Sequence, residues 1–283
     1  MMSSDHAALV YAADAPAALC TIIGIDGSFS RRCGAQLAIG RDGTLVGDLA
    51  DNCLQNELAG QAKISARDGI IKLLRYGKGS PFIDFRLPCG SGLDILIDPA
   101  PQMQHLSKCV ADLDARRATA LSLAVPAADD RHFLRMRRYI PRLRLLVVGT
   151  GAECEALQRQ AKATGVEVEW HVAGQHFSLN TVPTGISADP WTAVLLLFHD
   201  HEWEHRLLAW ALHTSAFYIG CQGGAQARAR RLESLRANGW DDTALVRINS
   251  PVGLVPRART PEVLALSILS EVVGAYEALH PHP

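Results

Sequence analysis

The chain has 283 residues, 48% of them hydrophobic, and its 28 Lys and Arg against 29 Asp and Glu leave a formal charge of −1. This length fits about two domains, and near-neutrality excludes a global attraction to nucleic acid or to a membrane surface. No apolar run approaches the ~20 residues that span a bilayer. The start, Met1 to His6, lacks a basic region, and Asp14 and Pro16 interrupt the apolar stretch that reaches Cys20; no signal peptide is expected, and the protein is expected in the cytoplasm.

In chain order, residues 18–25 form a β-rich apolar run. Residues 36–39 and 44–49 flank Gly40-Arg41-Asp42-Gly43, a hairpin signal. A helix is predicted from Asn52, with Gln55 three positions later as in a capping box and Leu54, Leu58 and Ala62 on one apolar face. Strands at 70–76, 82–87 and 93–97, a helix at 102–113 and a strand at 118–125 complete this mixed α+β half. Between Pro126 and Pro141 the chain turns polar and basic, with Arg131, Arg135, Arg137 and Arg138, which reads as a solvated linker helix. The predicted organisation is a first domain over 1–126, a basic linker over 127–141 and a second domain over 142–283.

The second half alternates strand and helix, as a doubly wound parallel sheet does. Strand 143–148 leads through Gly149-Thr150-Gly151 to helix 153–163, then come strand 166–172, a loop and the apolar strand 192–198. A helix over 202–213, a short strand over 216–220, an arginine-rich helix over 225–238 and a last helix to about residue 279 follow. That last helix opens on Thr260 as N-cap with Pro261 at its first position. Its Val263, Leu266, Ile268, Leu269 and Val272 exceed what a one-sided helix needs, which points to a self-association surface.

The turn Gly149-Thr150-Gly151 has the form of a dinucleotide turn, in which glycines let a pyrophosphate approach a helix N-terminus. Cys154 takes the place of its third glycine, and the second strand ends in Trp170-His171-Val172 without the carboxylate that holds a ribose. A phosphate-bearing ligand fits this pattern better than hydride chemistry with NAD. A second strand–glycine–helix passage, Gly220-Cys221-Gln222-Gly223-Gly224, stands before Arg228, Arg230 and Arg231 and reads either as an anion site or as a tight turn on a solvated basic helix. His199-Asp200-His201 follows the most apolar strand of this half and points into the cleft; its spacing matches no metal motif, so it reads as cleft-lining rather than as zinc or iron ligands.

Seven scattered cysteines without a Cys-x-x-Cys pair argue against a disulfide framework and a structural zinc site. Two of them occupy suggestive places. Cys53 is at a helix N-terminus, where the dipole lowers a thiol pKa, and Cys89 lies in the turn Pro88-Cys89-Gly90 between two strands. The alternative for each is a buried, inert thiol. The loop Gly27-Ser28-Phe29-Ser30-Arg31 offers a hydroxyl and a guanidinium to an anion. Nothing resembles a nucleophile elbow, a P-loop or a catalytic carboxylate pair, which favours a binding protein over a hydrolase or kinase.

Taken together, Gly27-Ser28 with Arg31, Gly34-Ala35, Asp42-Gly43 leading to Cys53, Leu87-Pro88-Cys89-Gly90, residues 145–151, residues 193–201, Tyr218-Ile219-Gly220, Arg228-Ala229-Arg230-Arg231-Leu232 and Pro251-Val252-Gly253-Leu254 with Ala258-Arg259-Thr260-Pro261-Glu262 resemble the XdhC/CoxI family. The sequence departs from that pattern where Asp51-Asn52 replace two glycines before Cys53, where Ser30 replaces a proline, at Cys154, and at Val255-Pro256-Arg257. The resemblance implies an N-terminal XdhC/CoxI domain, a C-terminal Rossmann-like domain and a homodimer. It also implies a non-enzymatic role: binding molybdenum cofactor, as molybdopterin or its dinucleotide form, protecting it while a cysteine desulfurase adds the sulfido ligand, and delivering it to a xanthine dehydrogenase-like molybdenum hydroxylase. The cofactor contacts expected on this basis are Cys89, and secondarily Cys53, toward the molybdenum, with Gly90, Ser28, Arg31, Gly149, Gly151, His199, Asp200, His201, Gly220 and Gly223 around the rest. The rival expectation is an NAD(P)-dependent oxidoreductase using the Gly149–Gly151 turn with a histidine of 199–201 as acid/base.

Overall fold

The computed structural model describes residues 4–49, 52–81, 90–126 and 132–281, with only the backbone of Ser4, Asp5, Asn52 and Cys53. It forms two compact units, one from the chain up to Pro141 and one from Arg142 to His280.

The first unit contains α1 (Ser4–Asp14), β1 (Ala17–Asp26), β2 (Gln36–Gly40), β3 (Leu45–Gly47), α2 (Asn52–Asp68), β4 (Lys72–Gly77), β5 (Gly92–Asp98), α3 (Met103–Asp114), β6 (Thr119–Ser122) and β7 (Met136–Tyr139). The order β3-β2-β1-β5-β4 makes an antiparallel five-stranded sheet. Its central strand is buried on both faces: Ala18, Cys20 and Ile22 pack on the α2 side with Leu54 and Leu58, while Ala17 and Leu19 meet Ala8, Leu9 and Leu106 of α1 and α3. The Gly40–Gly43 hairpin and the Leu54, Leu58, Ala62 face are as the pattern predicts. Helix α1 is not marked by sequence periodicity, because its buried Ala8, Leu9 and Ala12 adjoin an exposed Val10 and blur the polar contrast. The predicted strand over 82–87 lies outside the described residues.

Residues 136–139 correct the expectation of a solvated linker helix. They form β7, antiparallel to β6, with Met136 and Arg138 outward and Arg137 and Tyr139 inward. Arg137 is fully buried, its guanidinium 4.4 Å from the centre of the Tyr139 ring. The apolar stem and cation–π contact let an arginine take an inward strand position. Arg131 lies outside the described residues.

The second unit contains β8 (Arg144–Gly149), α4 (Ala152–Ala163), β9 (Glu167–Val172), β10 (Thr192–Leu197), a short 3-10 turn (His201–Trp203), α5 (Glu204–His213), β11 (Tyr218–Cys221), α6 (Ala225–Ala237), α7 (Asp242–Leu245), β12 (Ile248–Asn249) and α8 (Pro261–Glu277). Its five-stranded sheet runs β12-β11-β10-β8-β9, with every pairing parallel. Alternate residues Leu146, Val148, Val194, Leu196 and Ile219 pack against α5 and α6. Connections leave β8 and β10 toward opposite edges, so the switch point lies between their carboxyl ends, where ligands bind in open sheets of this kind.

Helix α8 begins as predicted, the Thr260 hydroxyl accepting the Val263 amide at 3.3 Å and Pro261 opening the first turn. Its apolar excess is largely consumed at home: Ile268, Leu269 and Val272 are buried, and α8 packs on α4. Only Val263 and Leu266 of the five remain exposed. Little of this helix is therefore left for self-association.

Candidate functional site

In the first unit, β1 ends at Asp26 opposite Gly92, where β5 begins, and Gly92 also faces Gly77, the end of β4. The loop after Asp26 and the segment between β4 and β5 therefore leave the sheet at the same end. Arg75, on β4, ties this end together. Its guanidinium donates to Asp94 at 2.5 Å, to Asp26, and to the Lys78 carbonyl oxygen at 2.9 Å, while the Lys78 amide donates to the Ser91 carbonyl at 2.9 Å. Asp94 is buried, and the glycines at 24 and 92 leave room for it: a Cβ at Gly24 would press on the Asp94 carboxylate and one at Gly92 on the guanidinium. Strand-interior glycines are the sequence signal for such close approach, and they were the only trace of this ion-pair cluster.

Gly27, at φ +87°, turns the next loop past Ser91. Ser28 is exposed. Arg31 is ion-paired within the unit: its Nη2 donates to Asp48 at 2.6 Å and its Nη1 to the Ser30 carbonyl. It fastens the loop to the segment that leads into α2, on which Cys53 lies. Among the described residues, nothing lies within 4 Å of where a Cβ on Gly90, at φ +68°, would stand. Three stretches singled out in the sequence thus have their described flanks at one end of one sheet. Cys89 and the side chain of Cys53 lie outside the described residues.

The described thiols are all poor nucleophiles. Burial pushes Cys20, Cys154 and Cys221 up to about 12. Cys109 is also raised by burial, and so is Cys33, although the Gly34 amide and Arg137 oppose it. Cys33 sits in the 27–34 loop, and its Sγ contacts the Ile22 carbonyl at 3.7 Å. Among the described residues, no group of three His, Cys, Asp or Glu side chains is placed to hold a metal ion.

In the second unit the expected residues separate into three kinds. Gly149 and Gly220 are packing glycines: a Cβ at Gly149 would strike the Leu197 carbonyl, and one at Gly220 would be 2.8 Å from Leu195, Tyr218 and Val252 atoms. Gly220 is buried in β11. Gly149→Ala is expected to destabilise the unit by about 3 kcal/mol, because a rigid backbone oxygen cannot yield; a thermal melt indistinguishable from the parent's would refute this.

The histidine tripeptide is locally engaged. Asp200 accepts the Glu202 amide at 3.0 Å and caps the 3-10 turn. His199 Nε2 lies 3.3 Å from Glu153 Oε1, and His201 Nδ1 lies 3.2 Å from Glu204 Oε1. His201 also packs on Gly223, where a Cβ would be 3.0 Å from its ring. Behind it, Glu204 and Arg231 form a buried pair, and Arg231 further donates to Ser250 Oγ at 2.6 Å and the Gln222 carbonyl at 2.9 Å. This pair floors a cleft of about 450 Å³ walled by His201, His205, Leu208, Arg230 and Ser234. Arg231 is thus engaged by Glu204, Ser250 and the Gln222 carbonyl, whereas Arg228 and Arg230 are exposed. Strand β9 carries no terminal carboxylate; His171 Nε2 lies 2.8 Å from Glu169 Oε1, and Trp170 donates to the Gly149 carbonyl.

The chain thus joins an antiparallel unit to a Rossmann-like parallel unit. The model of the XdhC and CoxI family matches residues 10–77, and that of the XdhC Rossmann domain matches residues 145–272. The chain is 31% identical over 269 residues to the molybdenum cofactor insertion chaperone PaoD of Escherichia coli K12, covering 91% of this chain and 83% of that one. It is 21% identical over 312 residues to a probable xanthine dehydrogenase component of Bacillus subtilis 168, covering 91% and 92% of the two. A crystal structure described as a xanthine dehydrogenase from Bacillus halodurans shares the fold, with a TM-score of 0.72 at 20% identity over 96% of this chain and 95% of that one. The chain belongs to the XdhC/CoxI family.

Proposed function

We propose that this protein binds molybdenum cofactor, as molybdopterin or its dinucleotide form, and inserts it into a xanthine dehydrogenase-like molybdenum hydroxylase. It shelters the cofactor while a cysteine desulfurase supplies the sulfido ligand, acts as a cytoplasmic homodimer and turns over no substrate itself. The observation that carries this is the gathering of the 27–34 loop, the Asp48 segment before α2 and the described flanks 78–81 and 90–92 at one end of the first sheet. The described thiols are protonated and buried or half-buried, so soft-ligand chemistry toward molybdenum or sulfur falls to Cys53 and Cys89. The relationship to PaoD, whose name states cofactor insertion, supports the same assignment.

The oxidoreductase alternative is not supported by a ribose carboxylate on β9. Equilibrium binding of purified protein to isolated molybdenum cofactor and to NADH separates the two. Micromolar or tighter binding of the cofactor with weak binding of NADH is expected; tight NADH binding without cofactor binding would reverse the assignment.

A further inference from the structure

The switch point between β8 and β10 is where a Rossmann-like sheet receives a phosphate, on the free amides at the start of the following helix. Here that place is filled by the chain itself. Glu153, in the first turn of α4, sends its carboxylate back over the glycine turn: Oε2 lies 3.4 Å from where a Cβ on Gly151 would stand. The other oxygen, Oε1, meets His199 Nε2 at 3.3 Å, and His199 follows β10. One pair thus spans both lips of the crevice. The Glu153 side chain is only 17% exposed although it belongs to a helix terminus at the surface. Glu155 adds a second negative charge to the same turn, so the positive end of the helix dipole is already compensated. His199 itself is 72% exposed, so the pair lies at the mouth of the crevice, where an arriving phosphate would meet the Glu153 carboxylate.

We propose that Glu153 is a specificity-determining residue: its carboxylate stands in for the phosphate at the α4 turn, held there by His199, so that this Rossmann-like unit rejects diphosphate ligands at its switch point. The same occupation keeps the pyrophosphate of a dinucleotide cofactor away from Gly149 and Gly151, which revises their expected contact with the ligand. The inference does not depend on which cargo the first unit carries. By contrast, the first turn of α6 contains no acidic residue.

Titration calorimetry of the full chain with inorganic pyrophosphate and with ADP provides the test. The parent is expected to bind both at least tenfold more weakly than Glu153→Gln, which removes the charge but keeps the shape, and than Glu153→Ala, which also clears the space. Glu155→Gln removes one charge from the same turn without touching Gly151 and is expected to change affinity less than threefold. Two results would overturn the proposal: parent affinity equal to that of both Glu153 variants, or an equal gain from Glu155→Gln, which would make the effect one of net charge. Because neither probe contains a pterin or molybdenum, failure here leaves the cofactor assignment untouched, and failure to bind the cofactor leaves this one untouched.

Discussion

Cys89→Ala is expected to lower retention of molybdenum cofactor, or sulfuration of the client hydroxylase, by at least tenfold while the melting temperature stays at the parent value. A molybdenum–dithiolene centre or a persulfide transfer asks for a thiolate, and burial holds the described cysteines in the protonated form. Cys89 stands in the sequence Pro88-Cys89-Gly90, which matches the family pattern without substitution, so it ranks above Cys53, which follows the substituted Asp51-Asn52 pair. Cys53→Ala is expected to give the smaller loss. Were Cys89 a packing residue, alanine would open a cavity and cost on the order of 1 kcal/mol, and the melting temperature would fall. Loss of loading at constant melting temperature supports the sulfur role; full loading and delivery by both variants would end it.

Arg231→Met is expected to produce the largest loss of stability. Glu204 and Arg231 are 2% and 4% exposed, and each oxygen of Glu204 accepts from the guanidinium. Removing one partner of a buried pair leaves the other charge uncompensated, at a cost of roughly 3–5 kcal/mol. For a unit of this size that is a fall of roughly 10 °C in melting temperature. The pH dependence follows from the remaining carboxyl. Burial already raises the Glu204 pKa, with Arg231 the main opposing influence, so without Arg231 it rises further. An acid whose folded pKa lies above its unfolded value binds protons more readily when folded, so the variant loses stability as pH rises above about 4.5, the ordinary glutamate value. Adding Glu204→Leu is expected to restore much of the loss. A single variant that melts within 2 °C of the parent would show that the pair contributes little.

The gain in stability from such a pair is not what recommends it for attention at this site. Its effect is to fix the floor of the cleft beside His201, so that the histidine and the Gly223 turn keep one geometry. Arg75 has the corresponding role in the first unit, where it joins Asp26, Asp94 and the Lys78 carbonyl at the end of the sheet from which the candidate loops depart. In both units, then, a largely buried arginine sets the base of a loop region.

What the sequence determined by itself was the alternation of strands and helices in the second half, the Gly40–Gly43 hairpin, the buried face of α2 and the cap of α8, because each is written in local spacing or in the backbone preference of one residue. The family likeness was equally legible, since it rests on short motifs in a fixed order. Tertiary structure alone decided the rest. Whether an arginine is a ligand or a strut depends on what lies across from it: Arg31, Arg75, Arg137 and Arg231 read alike in sequence, yet Asp48, Asp94, Tyr139 and Glu204 give each a different task. The glycine turn before α4 reads as a phosphate site until the side chain of Glu153 is seen folded back over Gly151 and held by His199, a residue 46 positions away. Local pattern specifies backbone conformation, whereas burial and charge pairing are set by residues distant in the chain, and those long-range pairings separate the residues that pack from the residues that can bind.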